Sequence, residues 1–212
     1  MQPGNTKTRY EAFLSDLVID TKTISKERAE KIFGYFQKNS LFRWSDANND
    51  CEDRANAICI LLDEWQIPNF KAWVFAGAYL KKQEGGSLVN LWNYHVAALL
   101  PVNENGNTVF YVIDPATSQL LEPIIDWAEK VTGMAWSYYV IKNGDYYIFP
   151  NGKIYKDNWF KRNRRNYNWT MQGLAGINGV SKAGQAALAF RKSKVRKVED
   201  CFRSLRYNKP QL

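Results

Sequence analysis

Residues 92–115 read Trp92-Asn93-Tyr94-His95-Val96-Ala97-Ala98-Leu99-Leu100-Pro101-Val102-Asn103-Glu104-Asn105-Gly106-Asn107-Thr108-Val109-Phe110-Tyr111-Val112-Ile113-Asp114-Pro115. Two β-rich runs, 91–102 and 108–113, flank Asn105-Gly106, the dipeptide favoured by type I′ hairpin turns because both central residues need positive φ. With the turn centred there, paired positions sum to 211, so Ala97 faces Asp114 and His95 projects from the same side of the sheet. Diagonal neighbours of this kind lie about 7–8 Å apart at the backbone, within reach of an imidazole and a carboxylate. One extra residue in the loop would send the two to opposite faces.

Further β-like runs at 70–75, 137–141 and 146–149 extend the sheet, and Asn143-Gly144 suggests a second I′ hairpin. Upstream, Cys51-Glu52-Asp53-Arg54-Ala55 opens a segment whose apolar positions 55, 58, 59, 62 and 65 recur at helical spacing. Asn49 or Asp50 suits its N-cap and Glu52 and Asp53 its first turn, which puts Cys51 at a helix N-terminus. The apolar positions Phe13, Leu14, Leu17 and Val18, then Ala29, Ile32, Phe33 and Phe36, predict N-terminal helices over 8–39, the second capped by Ser25. A helix from Pro123 to Val131 follows the hairpin. Beyond Lys156 comes a basic aromatic segment, a glycine-rich stretch from 173 to 184 and a helix over 185–194. The expected architecture is α+β: one catalytic domain over 1–212, with a core of about 40–150, in which an antiparallel sheet packs against the Cys51 helix, and a basic extension over 156–212.

The thiolate is the nucleophilic form of cysteine, and a helix N-terminus and a nearby imidazolium both favour it. An aspartate on the far side of the imidazole would fix its tautomer. Cys51, His95 and Asp114 therefore form a candidate nucleophile, base and orienting acid. Each has an ordinary alternative: a small buried residue at a helix start, a hydrogen-bonded strand histidine, an aspartate opening a turn before proline. Their compatible placement, with His95 the sole histidine of the chain, separates them from those readings. Cys59 falls on the apolar face of its helix, and Cys201 follows the basic helix with no base at hand.

Three cysteines without paired spacings, and one histidine, argue against a disulfide framework or a zinc site; no metal or cofactor is expected. The net charge of +8 is concentrated in Lys161-Arg162-Asn163-Arg164-Arg165 and in residues 191–197, which attract acidic partners or simply form a solvated face. No run approaches the roughly 20 apolar residues of a membrane span, and the start lacks a signal-peptide layout. The sequence reads as soluble: cytoplasmic, exported without such a signal, or a mature secreted form.

The segments Cys51-Glu52-Asp53-Arg54-Ala55, Trp92-Asn93-Tyr94-His95-Val96-Ala97 and Val112-Ile113-Asp114-Pro115 resemble, in order and spacing, the catalytic blocks of the bacterial protein-glutaminase family, over roughly residues 44–118. The resemblance implies a transglutaminase-like, papain-type fold, a Cys51, His95 and Asp114 triad, and deamidation of protein-bound glutamine through a thioester. Trp92 and Trp44 are candidate walls of the glutamine slot. The backbone N–H of Cys51, with Asn48 or Asn49, is a candidate oxyanion donor set. A transglutaminase or a cysteine protease would use the same triad, and a non-enzymatic basic module binding nucleic acid or membrane is the reading from a different class. Delivery into another cell as an effector or toxin would suit the basic extension and the missing signal.

Overall fold

The computed structural model describes residues 6–8, 21–45, 50–75, 94–132, 139–149, 154–156, 161–177 and 185–211. In chain order it contains β1 (Thr6–Thr8), α1 (Lys26–Gln37), α2 (Cys51–Glu64), β2 (Phe70–Phe75), β3 (Tyr94–Glu104), β4 (Asn107–Ile113), β5 (Glu122–Pro123), α3 (Ile124–Thr132), β6 (Tyr139–Asn143), β7 (Ile154–Lys156), α4 (Arg164–Leu174) and α5 (Gln185–Tyr207). A five-stranded sheet in the order β5-β4-β3-β2-β6 is antiparallel throughout, and β1 pairs with β7 in a separate ribbon. The α+β class and the antiparallel sheet against the Cys51 helix are as expected.

The hairpin has the predicted turn. Asn105 and Gly106 have φ of 52° and 85°, conformations that glycine and asparagine tolerate best, and the register runs from Ala98 opposite Ile113 to Glu104 opposite Asn107. Both faces of the sheet are covered, so its strands read as nearly continuous apolar runs. On one face Val96, Ala98, Leu100, Tyr111 and Ile113 pack beneath α2. On the other, Ala97, Leu99, Val112, Ala72 and Val74 pack against Trp127, Ala128 and Val131 of α3. Helix α2 is buried on nearly every side, including Ala55, Ile58, Cys59, Leu61 and Leu62, as a central helix must be. Ser25 caps α1, accepting from the Arg28 N–H at 3.2 Å, and α1 buries Ala29, Ile32, Phe33 and Phe36.

Several local expectations are corrected. Asn143-Gly144 makes no I′ hairpin: β6 pairs with β2, Gly144 lacks a positive φ, and Tyr146 makes only a single bridge to Lys161. The chain there leaves the sheet, burying Tyr146, Tyr147 and Phe149 as isolated anchors. Thr8 lies in a strand, not at a helix start, and Phe13 to Val18 fall outside the described residues. Pro123 belongs to β5, so α3 begins one residue later. Helix α5 continues through Cys201 to Tyr207, because Val195, Val198, Phe202 and Leu205 carry the apolar period onward to pack on the main core. The C-terminal extension is thus docked: Arg206 pairs with Glu64, and the Trp65 indole N–H donates to the Leu205 carbonyl at 3.3 Å. Among the described residues, no helix is long and apolar enough to cross a membrane.

Candidate active site

His95 enters β3 at its second residue, on the α3 face, and both its imidazole and the Asp114 carboxylate are buried. The I′ register delivers them as predicted: His95 Nε2 lies 2.8 Å from Asp114 Oδ2. The same oxygen accepts from the Thr117 hydroxyl and from the Trp127 indole N–H at 3.2 Å, and Trp127 also donates to Thr117 Oγ1 at 3.0 Å. Burial alone would raise the Asp114 carboxyl. The His95 charge and the hydrogen bonds from His95, Thr117 and Trp127 outweigh it and hold the group below the usual carboxylate range. Asp114 is therefore held as an anion in a dry setting, and the tautomer that donates Nε2–H to it carries its ring lone pair on Nδ1. That nitrogen is bonded directly to the ring carbon nearest the β3 backbone.

Cys51 is the first residue of α2 and is held by what precedes it. Asp50 adopts φ 65°, its carbonyl accepts from the Arg54 N–H at 3.0 Å, and its carboxylate lies 3.9 Å from Arg43 Nη1. Asp50 occupies the N-cap position, but its side chain makes no cap hydrogen bond to the helix. The Cys51 thiol packs beside Val96 and Tyr94, the residues that flank His95, and the Val96 backbone N–H bonds to the sulfur. Burial pushes the thiol well above its ordinary value. The adjacent Glu52, 3.4 Å away through its Oε2, pushes the same way, while the Val96 N–H and Arg54 work against them. Desolvation and the neighbouring carboxylate thus oppose the thiolate that the helix terminus favours.

Trp44 stacks on Phe42 at 5.4 Å with the Arg54 guanidinium 5.8 Å from its centroid, and its N–H donates to the Phe36 carbonyl at 2.8 Å. It brackets α1 and α2 and remains half-buried. Trp92, Asn48 and Asn49 lie outside the described residues. Cys59 is fully buried and Cys201 exposed. Among the described residues, no group of three His, Cys, Asp or Glu side chains is placed to hold a metal ion.

Two contributors were not read from the sequence. Thr117 and Trp127 complete the Asp114 shell, and the only hint was a threonine three residues after Asp114 followed by an apolar helix. Asp53, in the first turn of α2, is buried against α4: Tyr147 donates to its Oδ1 at 2.6 Å, and a Cβ at Gly173 would stand 1.8 Å from its Oδ2. Burial raises the Asp53 carboxyl to about 7. The Glu52 and Asp50 charges add to this, and Tyr147 and Arg54 oppose it.

Residues 29–131 match a family model described as glutaminase. The fold is similar to that of protein-glutaminase from Chryseobacterium proteolyticum, solved by NMR, with 17% identity, a TM-score of 0.51, and 76% of this chain and 92% of that one covered. A crystal structure of protein-glutaminase is similar at 18% identity and TM-score 0.55, covering 78% of this chain and all of the other. A mutant of pro-protein-glutaminase is similar at 18% identity and TM-score 0.50. A comparison with curated proteins gives no significant match.

Proposed function

We propose that this chain, whose residues 29–131 match the glutaminase family model, is a protein-glutaminase that deamidates protein-bound glutamine with Cys51 as nucleophile, His95 as general base and then acid, and Asp114 as the residue that orients the imidazole. The observation that carries this reading is the 2.8 Å bond between His95 Nε2 and Asp114 Oδ2, with the Cys51 sulfur bonded to the backbone of the next strand residue, Val96.

His95 Nδ1 takes the Cys51 proton as sulfur attacks the carboxamide carbon, and the C–S bond forms as the carbonyl becomes an oxyanion. The backbone N–H of Cys51, at the open end of α2, is positioned by type to donate to that oxygen. Collapse breaks the C–N bond, and the imidazolium gives its proton to the departing amide nitrogen, which leaves as ammonia. Water then adds to the thioester with His95 again as base, releasing glutamate and regenerating the thiol. Asp114, negative and buried, stabilises the imidazolium formed in both halves.

The test is ammonia release from the dipeptide Z-Gln-Gly and from a glutamine-bearing protein, with and without a primary amine, for wild type and Cys51→Ala. Release that disappears in the variant, with glutamate formed even when amine is present, is the expected result. Amine incorporation would move the reading to acyl transfer, and release that persists in Cys51→Ala would overturn the nucleophile.

A further inference from the structure

Helix α5 carries Arg191, Lys192, Lys194, Arg196 and Lys197 within two turns. Lys192 and Arg196 are four apart on one face and Lys194 and Lys197 three apart on another, spacings at which like charges oppose helix formation. Among the described residues, Lys192, Lys194, Arg196 and Lys197 take part in no ion pair, whereas farther along the helix Arg203 meets Asp200 at 3.5 Å and Arg206 meets Glu64. Lys194 and Lys197 line a hollow of about 380 Å³ beside Ala175 and Gly176, at the C-terminal end of α4, where a cation complements the helix dipole. That accounts for those two and leaves Lys192 and Arg196.

Lys192 and Arg196 line a separate groove of about 570 Å³ between α5 and the end of α4. Its apolar lining comes from Ile177, Leu188 and Val195, and Leu188 is 45% exposed. Mixed lining of this sort discriminates among anions. Glu199 and Asp200 temper the basic charge of the groove, whose other charged lining is Arg191, Lys192, Arg196 and Arg203, and closely spaced phosphates would gain nothing from the leucine, isoleucine and valine. A peptide that alternates carboxylates with apolar side chains satisfies both.

Resting on the deamidase reading, we propose that the groove between α4 and α5 is an exosite for an acidic, partly apolar segment of the protein substrate. Its α4 wall is linked by contacts to the start of α2. The α4 wall ends at Gly176, and Arg43, whose Nη1 is 3.5 Å from the Gly173 carbonyl, also holds Asp50, the residue before Cys51. A segment seated there is anchored to the elements that position the nucleophile.

The experiment uses the full chain and a fluorescent peptide of mixed Asp, Glu and Leu with one Gln, alongside its Lys and Leu counterpart, a single-stranded oligonucleotide, and phosphatidylcholine vesicles containing phosphatidylserine. Binding is read by anisotropy or co-sedimentation with Cys51→Ser, and turnover with the intact enzyme. Reversing both charges with Lys192→Glu and Arg196→Glu should weaken acidic-peptide binding and raise its KM about tenfold, with kcat/KM for Z-Gln-Gly unchanged. Leu188→Asp should weaken binding of the same peptide and also spare Z-Gln-Gly. Unchanged acidic-peptide binding after charge reversal, or tighter binding of the oligonucleotide or vesicles than of the peptide, would overturn the exosite. Charge-sensitive peptide binding by a chain that releases no ammonia from any glutamine substrate would uphold the exosite and reject the deamidase reading alone.

Discussion

Asp53→Asn should make the protein more stable above neutral pH and flatten its stability between about pH 4 and 7. In the folded state burial lifts the Asp53 carboxyl from 3.8 to about 7, so within that window the native chain keeps a proton that the unfolded chain has released. Stability from this group is complete below the unfolded value and is lost as pH rises to about 7. The span corresponds to about 4 kcal/mol at about 1.4 kcal/mol per pH unit. Asparagine has nearly the same shape and fits the same close approach of Gly173, and the preference of Tyr147 for the charged carboxylate is already contained in the shift. The gain near pH 8 is then about 4 kcal/mol, which corresponds to roughly 8 to 16 °C in Tm. Urea unfolding of both proteins across this range gives the difference directly, and groups common to both cancel. Parallel stability curves for wild type and variant, or a variant less stable at pH 8, would refute the argument.

Asp114→Asn should lower kcat by at least about a hundredfold with little change in KM, since the imidazole loses its tautomer control and its counter-charge. Trp127→Phe keeps the ring and removes one donor to Asp114 Oδ2; kcat should fall about tenfold, and the acid limb of the pH–rate profile should move to higher pH, because that hydrogen bond lowers the Asp114 pKa. Glu52→Gln removes a charge that raises the Cys51 pKa, so alkylation of Cys51 by iodoacetamide should reach half its limiting rate at a lower pH than in wild type. Lys71 is fully buried, donates to Asn56 Oδ1 at 3.2 Å and to the Tyr146 carbonyl, and is pulled down to about 8 by burial. The unfolded chain binds the extra proton between about 8 and 10.5, so stability should rise with pH there, and Lys71→Met should abolish that rise in denaturation curves.

What the sequence made legible follows from short-range rules. Asn105-Gly106 set one turn, that turn set the register, and the register set the facing of His95 and Asp114. The period of 55, 58, 59, 62 and 65 put Cys51 at a helix start. The parts that escaped depend on tertiary context. Helix α4 buries Asn166, Thr170, Met171 and Leu174, a face half polar and satisfied internally, so its apolar period is weak; its cap is an Asn163 and Asn166 box in place of the commoner Ser or Thr with Glu. Asn143-Gly144 has hairpin composition, but β6 finds its partner in β2, and composition cannot choose between a local and a remote strand. Trp127 reads as a core aromatic, and it is one; that its N–H reaches Asp114 depends on how α3 crosses the sheet.

Two buried carboxylates, Asp114 beside the candidate base and Asp53 two residues after the candidate nucleophile, have opposite environments, and the contrast bears on how the proposed site would operate. Asp114 is held as an anion by three donors, so in the proposed mechanism its charge is available to the imidazolium. Asp53, two residues from Cys51 and with Tyr147 as its hydrogen-bond donor, is driven toward its neutral form by burial near Glu52 and Asp50. Removing that charge lessens the repulsion that an incipient thiolate meets at the start of α2, where Glu52 already raises the thiol. In the proposed mechanism, a thiol whose pKa burial raises loses its proton to His95 during attack, which requires the base to be poised before substrate arrives. On that proposal, the Asp114, Thr117 and Trp127 shell is the part of the site on which the chemistry would depend most directly after Cys51 and His95 themselves.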